Sequence, residues 1–184
     1  MAAARRRWAA EMLHFWFHEL TPAQWFGRSD AVDAELRRRF LPELAALRTQ
    51  PAARFLTDRE TARAAILLFD QAPRNLFRNS ACAFAFDPLA REICKGALAR
   101  GWDRGLALHE AQFLLLPLMH SESRADQHRS LRAFTALGDA GITGFARAHA
   151  RMVMRFGRFP HRNEVLDRRS TPAERRAVAA GNHW

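Results

Sequence analysis

Three four-residue boxes restrict how this chain can fold. TPAQ (21–24), TDRE (57–60) and TPAE (171–174) each place Thr three residues ahead of Gln or Glu. In such a box the Thr hydroxyl accepts from the N–H three residues on. The Gln or Glu side chain reaches back to the Thr N–H, so two donors left unpaired by a helix start are satisfied. Two of the boxes follow Thr with Pro, whose fixed φ suits the first helical position. SRAD (123–126) is a weaker version, and Asp87–Pro88 offers an Asp cap with Pro behind it. Between these starts, apolar residues recur at three and four: Leu36, Phe40, Leu44 and Leu47 form one stripe, and Leu131, Phe134 and Leu137 another. No stretch alternates with period two, and the chain has no Asn-Gly or Asp-Gly hairpin turn.

The expectation is an all-α protein of about eight helices: 6–19, 30–48, 58–71, 88–100, 104–119, 124–138, 142–156 and 172–180, with a short turn near 22–26. Gly101 is placed to stop one of them, and Pro42 and Pro117 should kink or shorten the helices that contain them. Connections of a few residues favour antiparallel helical hairpins packed side by side. With 184 residues and no low-complexity linker, a single all-helical domain over 1–184 is expected.

Composition narrows the function classes. No apolar run approaches the roughly 20 residues needed to cross a bilayer, and His14, His18 and Glu19 interrupt any leader-like apolar patch near the start. A cytoplasmic protein with no membrane association is expected. The net charge of +10 invites a nucleic-acid reading, but Lys95 is the sole lysine among 29 basic residues and the arginines are scattered along nearly every segment. Nucleic acid is therefore not an expected partner. Cys82 and Cys94 make no CxxC pair and no zinc knuckle, and are expected as buried thiols in a reducing compartment. His14 and His18 share a helical face, but Phe15 stands where a zinc-protease motif needs Glu, so no metal site is expected. With no GxGxxG or Walker pattern, no cofactor is expected either.

Three clusters carry what chemistry there is. AAILLFDQAPRN (64–75) runs six apolar residues into Asp70, which implies a helix buried nearly all round and a desolvated carboxylate at its end. Arg74, past the expected break at Pro73, is the natural partner of Asp70. FLLLPLMHSE (113–122) ends in His120, Ser121 and Glu122, and RFGRFPHRN (155–163) ends in His161, Arg162 and Asn163. If these ends converge they line a polar pocket with Asp70, Arg74, Asn75, His120, Glu122, His161 and Arg162, suited to anion clamping or acid–base work. No nucleophile elbow surrounds Ser121. The bland explanation is that such residues merely satisfy helix ends.

FDQAPRN (69–75), LPLMHSE (116–122) and RFGRFPHRN (155–163), together with FWF (15–17), WF (25–26) and ST (170–171), resemble the bacterial domain-of-unknown-function family numbered 924 over about residues 12–178. The resemblance implies helical hairpins stacked in a tetratricopeptide-repeat-like array, although no 34-residue repeat consensus is visible. Its motifs fall on Asp70, Gln71, Arg74 and Asn75, on His120, Ser121 and Glu122, and on Arg158, His161, Arg162 and Asn163. It implies no reaction.

The resulting expectation is binding of an anionic small molecule or peptide, with Arg74, Arg158 and Arg162 as the clamp and Asp70 and Glu122 orienting them. Two alternatives remain: an enzyme using His120 or His161 as general acid/base, and a helical scaffold for a protein partner.

Overall fold

The computed structural model describes residues 7–181. Arg6, the first residue of the expected 6–19 helix, and both ends of the expected 1–184 domain lie outside the described residues. Among the described residues there is no strand. The α-helical segments are α1 (Arg7–His14), α2 (Pro22–Phe26), α3 (Asp30–Leu47), α4 (Arg59–Ile66), α5 (Ala72–Leu76), α6 (Asp87–Ala99), α7 (Leu108–Met119), α8 (Arg124–Ala136), α9 (Ala140–Phe156) and α10 (Pro172–Ala179). A π-helical turn at Leu67–Gln71 joins α4 and α5 into one rod over 59–76. Eight helices of eight residues or more result, as expected, beside the single turn of α2.

The helix starts show the sequence acting locally. At α10, Thr171 Oγ1 accepts from the Glu174 N–H at 3.2 Å and Glu174 Oε2 accepts from the Thr171 N–H at 2.7 Å. Thr21 and Gln24 close the α2 box the same way. At α4 the cap moves one residue on: Asp58 accepts from the Thr61 N–H at 2.9 Å, and Thr57 donates to Asp58. A carboxylate is the stronger acceptor there, and its charge complements the helix N-terminus. Asp87 does not cap α6, which starts at Asp87 itself, because its carboxylate is taken by Arg74.

Neither internal proline cuts its helix short. α3 runs on past Pro42 and α7 past Pro117. Pro73 does not end its helix either. A proline ring collides with the carbonyl four residues back and offers no N–H. The π turn relieves this: the Ala72 N–H bonds to Leu67 O, one residue further back than in an α-helix, and widens the backbone just ahead of Pro73.

By internal contacts the chain forms two compact units, Met1–Arg78 with Cys82–Leu106, and Asn79–Ala81 with Ala107–Trp184. In the first, the 59–76 rod packs against α1, α3 and α6. Every residue from 61 to 73 is buried, as the unbroken apolar run implies. Phe69 meets Phe55 edge-on at 5.1 Å between centroids, and Phe15 meets Phe40 at 5.6 Å. Each fully buried ring of this kind contributes about 1.5–3 kcal/mol.

In the second unit, α7, α8 and α9 follow one another through links of a few residues and pack as consecutive hairpins. Gly157 ends α9 with φ +72°, a left-handed conformation that glycine adopts without strain, and its N–H bonds to Val153 O at 2.8 Å. The chain then turns back so that Phe159 packs with Met152, Val153 and Ala177. None of the described helices is long and apolar enough to cross a membrane.

Candidate functional site

Asp70, Arg74 and Asn75 all lie in the first unit, at the end of the 59–76 rod. Asp70 is fully buried inside the π turn, and Gln71 Nε2 donates to its Oδ2 at 2.5 Å. Arg74 donates to the Asp70 carbonyl oxygen and lies 3.6 Å from Asp70 Oδ1. Its two-pronged pairing, however, is with Asp87, at 3.0 and 3.1 Å. Burial works against the charge of Arg74, but Asp70 and Asp87 together hold its pKa above the usual value. The Phe84 ring lies 5.6 Å from the same guanidinium. Asn75 Oδ1 accepts from Arg78 at 3.4 Å, and Arg78 in turn grips Asp33 of α3 at 2.7 and 2.9 Å.

The other expected residues lie in the second unit. His120 and Glu122 sit in the turn after α7, which Gln127 of α8 fixes from below. The Gln127 side chain is fully buried, and its Nε2 donates to Met119 O at 2.7 Å and Ser121 O at 2.6 Å, satisfying carbonyls that α7 leaves open. Ser121 donates to Asp126 Oδ2 at 2.8 Å, which gives its hydroxyl a structural role. Glu122 reaches the other way. It accepts from Arg168 at 2.8 and 3.0 Å and from the Phe159 N–H at 2.7 Å. Burial raises the Glu122 pKa, but Arg168, the Phe159 N–H and the nearby charge of Arg162 outweigh it and leave the net value lowered.

Glu122 thereby pins the loop that presents His161, Arg162 and Asn163. Asn163 donates to Ser170 at 3.0 Å and is buried. Arg158 faces elsewhere: it holds Glu174 at 2.6 and 3.0 Å and the Arg169 carbonyl at 2.9 Å. That pairing, followed by opposing burial, draws the Glu174 pKa down to about 2.

Phe159 is the hub of what remains. His149 meets its ring edge-on at 5.5 Å, His161 lies at 5.7 Å, and the Arg162 guanidinium sits over it at 4.6 Å. His120 is 6.1 Å from His149. His149 Nδ1 lies 2.9 Å from Phe145 O, and since a carbonyl only accepts, the proton is on Nδ1. Burial is the main cause that drives the His149 pKa down, to about 3, and charge on His120, Arg162 and His161 adds to it against the help of that hydrogen bond. Two of the three clusters therefore share one hub, and the sequence motifs did not tie Arg168, Asp87 or Glu174 to these partners. Asp87, ahead of Pro88, and Glu174, in the TPAE box, carried signals only as helix-start residues. Cys94 is buried as expected, whereas Cys82 is exposed. Among the described residues, no three His, Cys, Asp or Glu side chains group as metal ligands.

A family model described as "Bacterial protein of unknown function" matches residues 12–182. No curated protein matches the chain. A solved structure of a protein of unknown function from Agrobacterium tumefaciens is similar at 36% identity, with a TM-score of 0.89, over 98% of this chain and 100% of that one. With the family model spanning nearly the whole chain, the chain belongs to the bacterial family DUF924.

Proposed function

We propose that the second unit binds an anionic small molecule, or the acidic end of a peptide, beside His120, His161 and Arg162. The observation that supports this is the behaviour of His149. Its neighbours His120, Arg162 and His161 all push against a further positive charge at that point. Such a positive field in a partly buried setting favours an anion. The carboxylate beside it, Glu122, is committed to Arg168 and the Phe159 N–H. Half-exposed His120 and His161 supply donors at the rim, and Arg162 offers the planar fork that suits carboxylate or phosphate. Arg158 has no part in this reading, since Glu174 holds it.

A specific feature favours acid–base chemistry as a second reading. His149 is fixed in one tautomer with its proton on Nδ1, between two imidazoles in less buried settings. Histidines whose environments differ in this way suit proton transfer, with His120 or His161 as the titrating group. A cytoplasmic location belongs to the same proposal and is supported by two cysteines outside any disulfide. Stacking in the manner of tetratricopeptide repeats belongs to it too, supported by the consecutive α7–α8–α9 hairpins.

The test is thermal unfolding of the full chain in increasing inorganic phosphate at constant ionic strength. Binding raises the midpoint, with about 2.7 kcal/mol expected at 100 times Kd, and Arg162→Gln abolishes the rise. An unchanged midpoint with phosphate and with acetate overturns the reading.

A further inference from the structure

The α8–α9 hairpin carries a second cationic feature, remote in chemistry from the histidine cluster. Over residues 124–156 the sequence has six arginines, Arg124, Arg129, Arg132, Arg147, Arg151 and Arg155, against two carboxylates, Asp126 and Asp139. Neither carboxylate is available to the surface arginines. Asp126 is buried and bonded to Ser121, and Asp139 caps α9 by accepting from the Ile142 N–H at 2.8 Å. Among the described residues, none of the six arginines pairs with a carboxylate. This contrasts with Arg39, Arg74 and Arg78 of the first unit, each held by an acidic partner.

Arg147, Arg151 and Arg155 are exposed and four residues apart. At 1.5 Å per residue they form a row with steps of about 6 Å and a length of about 12 Å on one helical face. Arg124, from the start of α8, joins the far end of the row: its guanidinium donates to Met154 O at 3.3 Å. Arg155 is stacked on Phe156, 4.9 Å from the ring centroid, and Phe156 is itself packed on the core around Phe159. At least one cation of the row therefore rests on a rigid support.

We infer that this face of α9, with Arg124, is a docking surface for the phosphate backbone of a nucleic acid. Evenly spaced like charge fits a partner whose own charge repeats evenly, and one strand of B-DNA carries a phosphate about every 3.4 Å, so the row spans three or four. An anionic membrane fits less well. The exposed residues around the row are Ala140, Gly141 and Gly144, which offer nothing to bury among lipid headgroups. Exposed Phe145 lies roughly 80° or more around the helix from the row. Phe156, the aromatic beside Arg155, is packed on the core, so recognition is of the backbone and insensitive to sequence.

The experiment is fluorescence anisotropy of a labelled 20-base-pair duplex with the full chain at 25–200 mM NaCl. The expected result is linear loss of log K with log salt, with a slope of about −3 for three to four phosphates. The triple variant R147Q/R151Q/R155Q should flatten that slope by about 2–3. The triple R7Q/R48Q/R54Q, which removes equal charge from exposed positions of the first unit, should leave it nearly unchanged. The single variant R151E, with an unaltered melting curve, guards against misfolding and should weaken binding at least tenfold at low salt. No binding at 25 mM NaCl overturns the inference. So does equal loss in the two triples, or equal binding of a polyglutamate peptide or of vesicles rich in anionic lipid.

Discussion

Glu122 and Arg168, 46 residues apart in the chain, hold each other with two hydrogen bonds at 2.8 and 3.0 Å, and one of the same carboxylate oxygens also caps the Phe159 N–H. This one side chain closes the loop on which His161 and Arg162 stand. Glu122→Gln keeps the shape but gives up the charge. It should lower unfolding stability by about 1.5–3 kcal/mol, the range for hydrogen bonds to charged groups. Urea unfolding of the single and double variants with Arg168→Met should show coupling between the two positions. Strict additivity would mean that the pair contributes nothing.

His149 predicts an acid-side slope. Its folded pKa, about 3, lies below the unfolded value near 6.5, so below pH 6.5 the unfolded chain takes up a proton that the folded chain refuses. The stabilisation is complete above pH 6.5 and is lost as pH falls toward 3, at up to about 1.4 kcal/mol per pH unit. His149→Phe, which keeps a ring against Phe159, should flatten melting temperature against pH between 6.5 and 4.5. A curve parallel to the parent's would exclude His149 as its source.

Glu174 acts lower on the scale. Its folded pKa of about 2 lies below the ordinary carboxylate value, so its stabilisation is present above about pH 4.5 and disappears as pH falls toward 2. Arg158→Gln should move the Glu174 carboxyl resonance, read by carbon NMR, back toward an ordinary titration. An unmoved midpoint would show that the Thr171 N–H, not Arg158, sets the value.

Gly157 has φ +72° with nothing near its missing side chain. Gly157→Ala therefore meets no clash, only the backbone penalty of a left-handed residue. Stability should drop by about 1–2 kcal/mol. A neutral result would mean that the turn relaxes without loss.

Asp87→Ala should cost about 2–3 kcal/mol in thermal or urea unfolding, because it leaves the largely buried Arg74 with half of its acidic support. Restoration by Asp87→Glu is not expected, since a longer arm spoils the two-pronged geometry. A fully stable alanine variant would show that Asp70 alone suffices.

Much of this was legible from local rules. Thr171 and Glu174 announced a helix start, and the unbroken apolar run at 64–69 announced a rod buried on all sides. Local rules failed where the deciding partner lay elsewhere. Asp70, four residues from Arg74, does pair with it at 3.6 Å, but Asp87, thirteen residues on, provides the two short bonds. Arg168 has no periodicity or motif to tie it to Glu122. Pro73 was expected to break its helix because proline's cost is counted for a regular α-helix, and a wider turn avoids it. The row at 147, 151 and 155 was visible in its spacing, but it was hidden by the sheer number of arginines.

The π turn at Leu67–Gln71 also has a genetic consequence. Its five-residue hydrogen-bonded step accommodates one residue more than an α-helix would across the same span. Deleting a single codon there would let the backbone close as regular helix. The helix beyond the turn would keep its facing, because the surplus residue is what the wider turn absorbs. Arg74 would still face Asp87, but Pro73 would meet a carbonyl four residues back, the collision it now avoids. At this point of the chain the surplus residue is the room that a proline occupies, so a one-residue deletion should cost about 3 kcal/mol, as for a helix-interior proline, unless Pro73 is replaced as well.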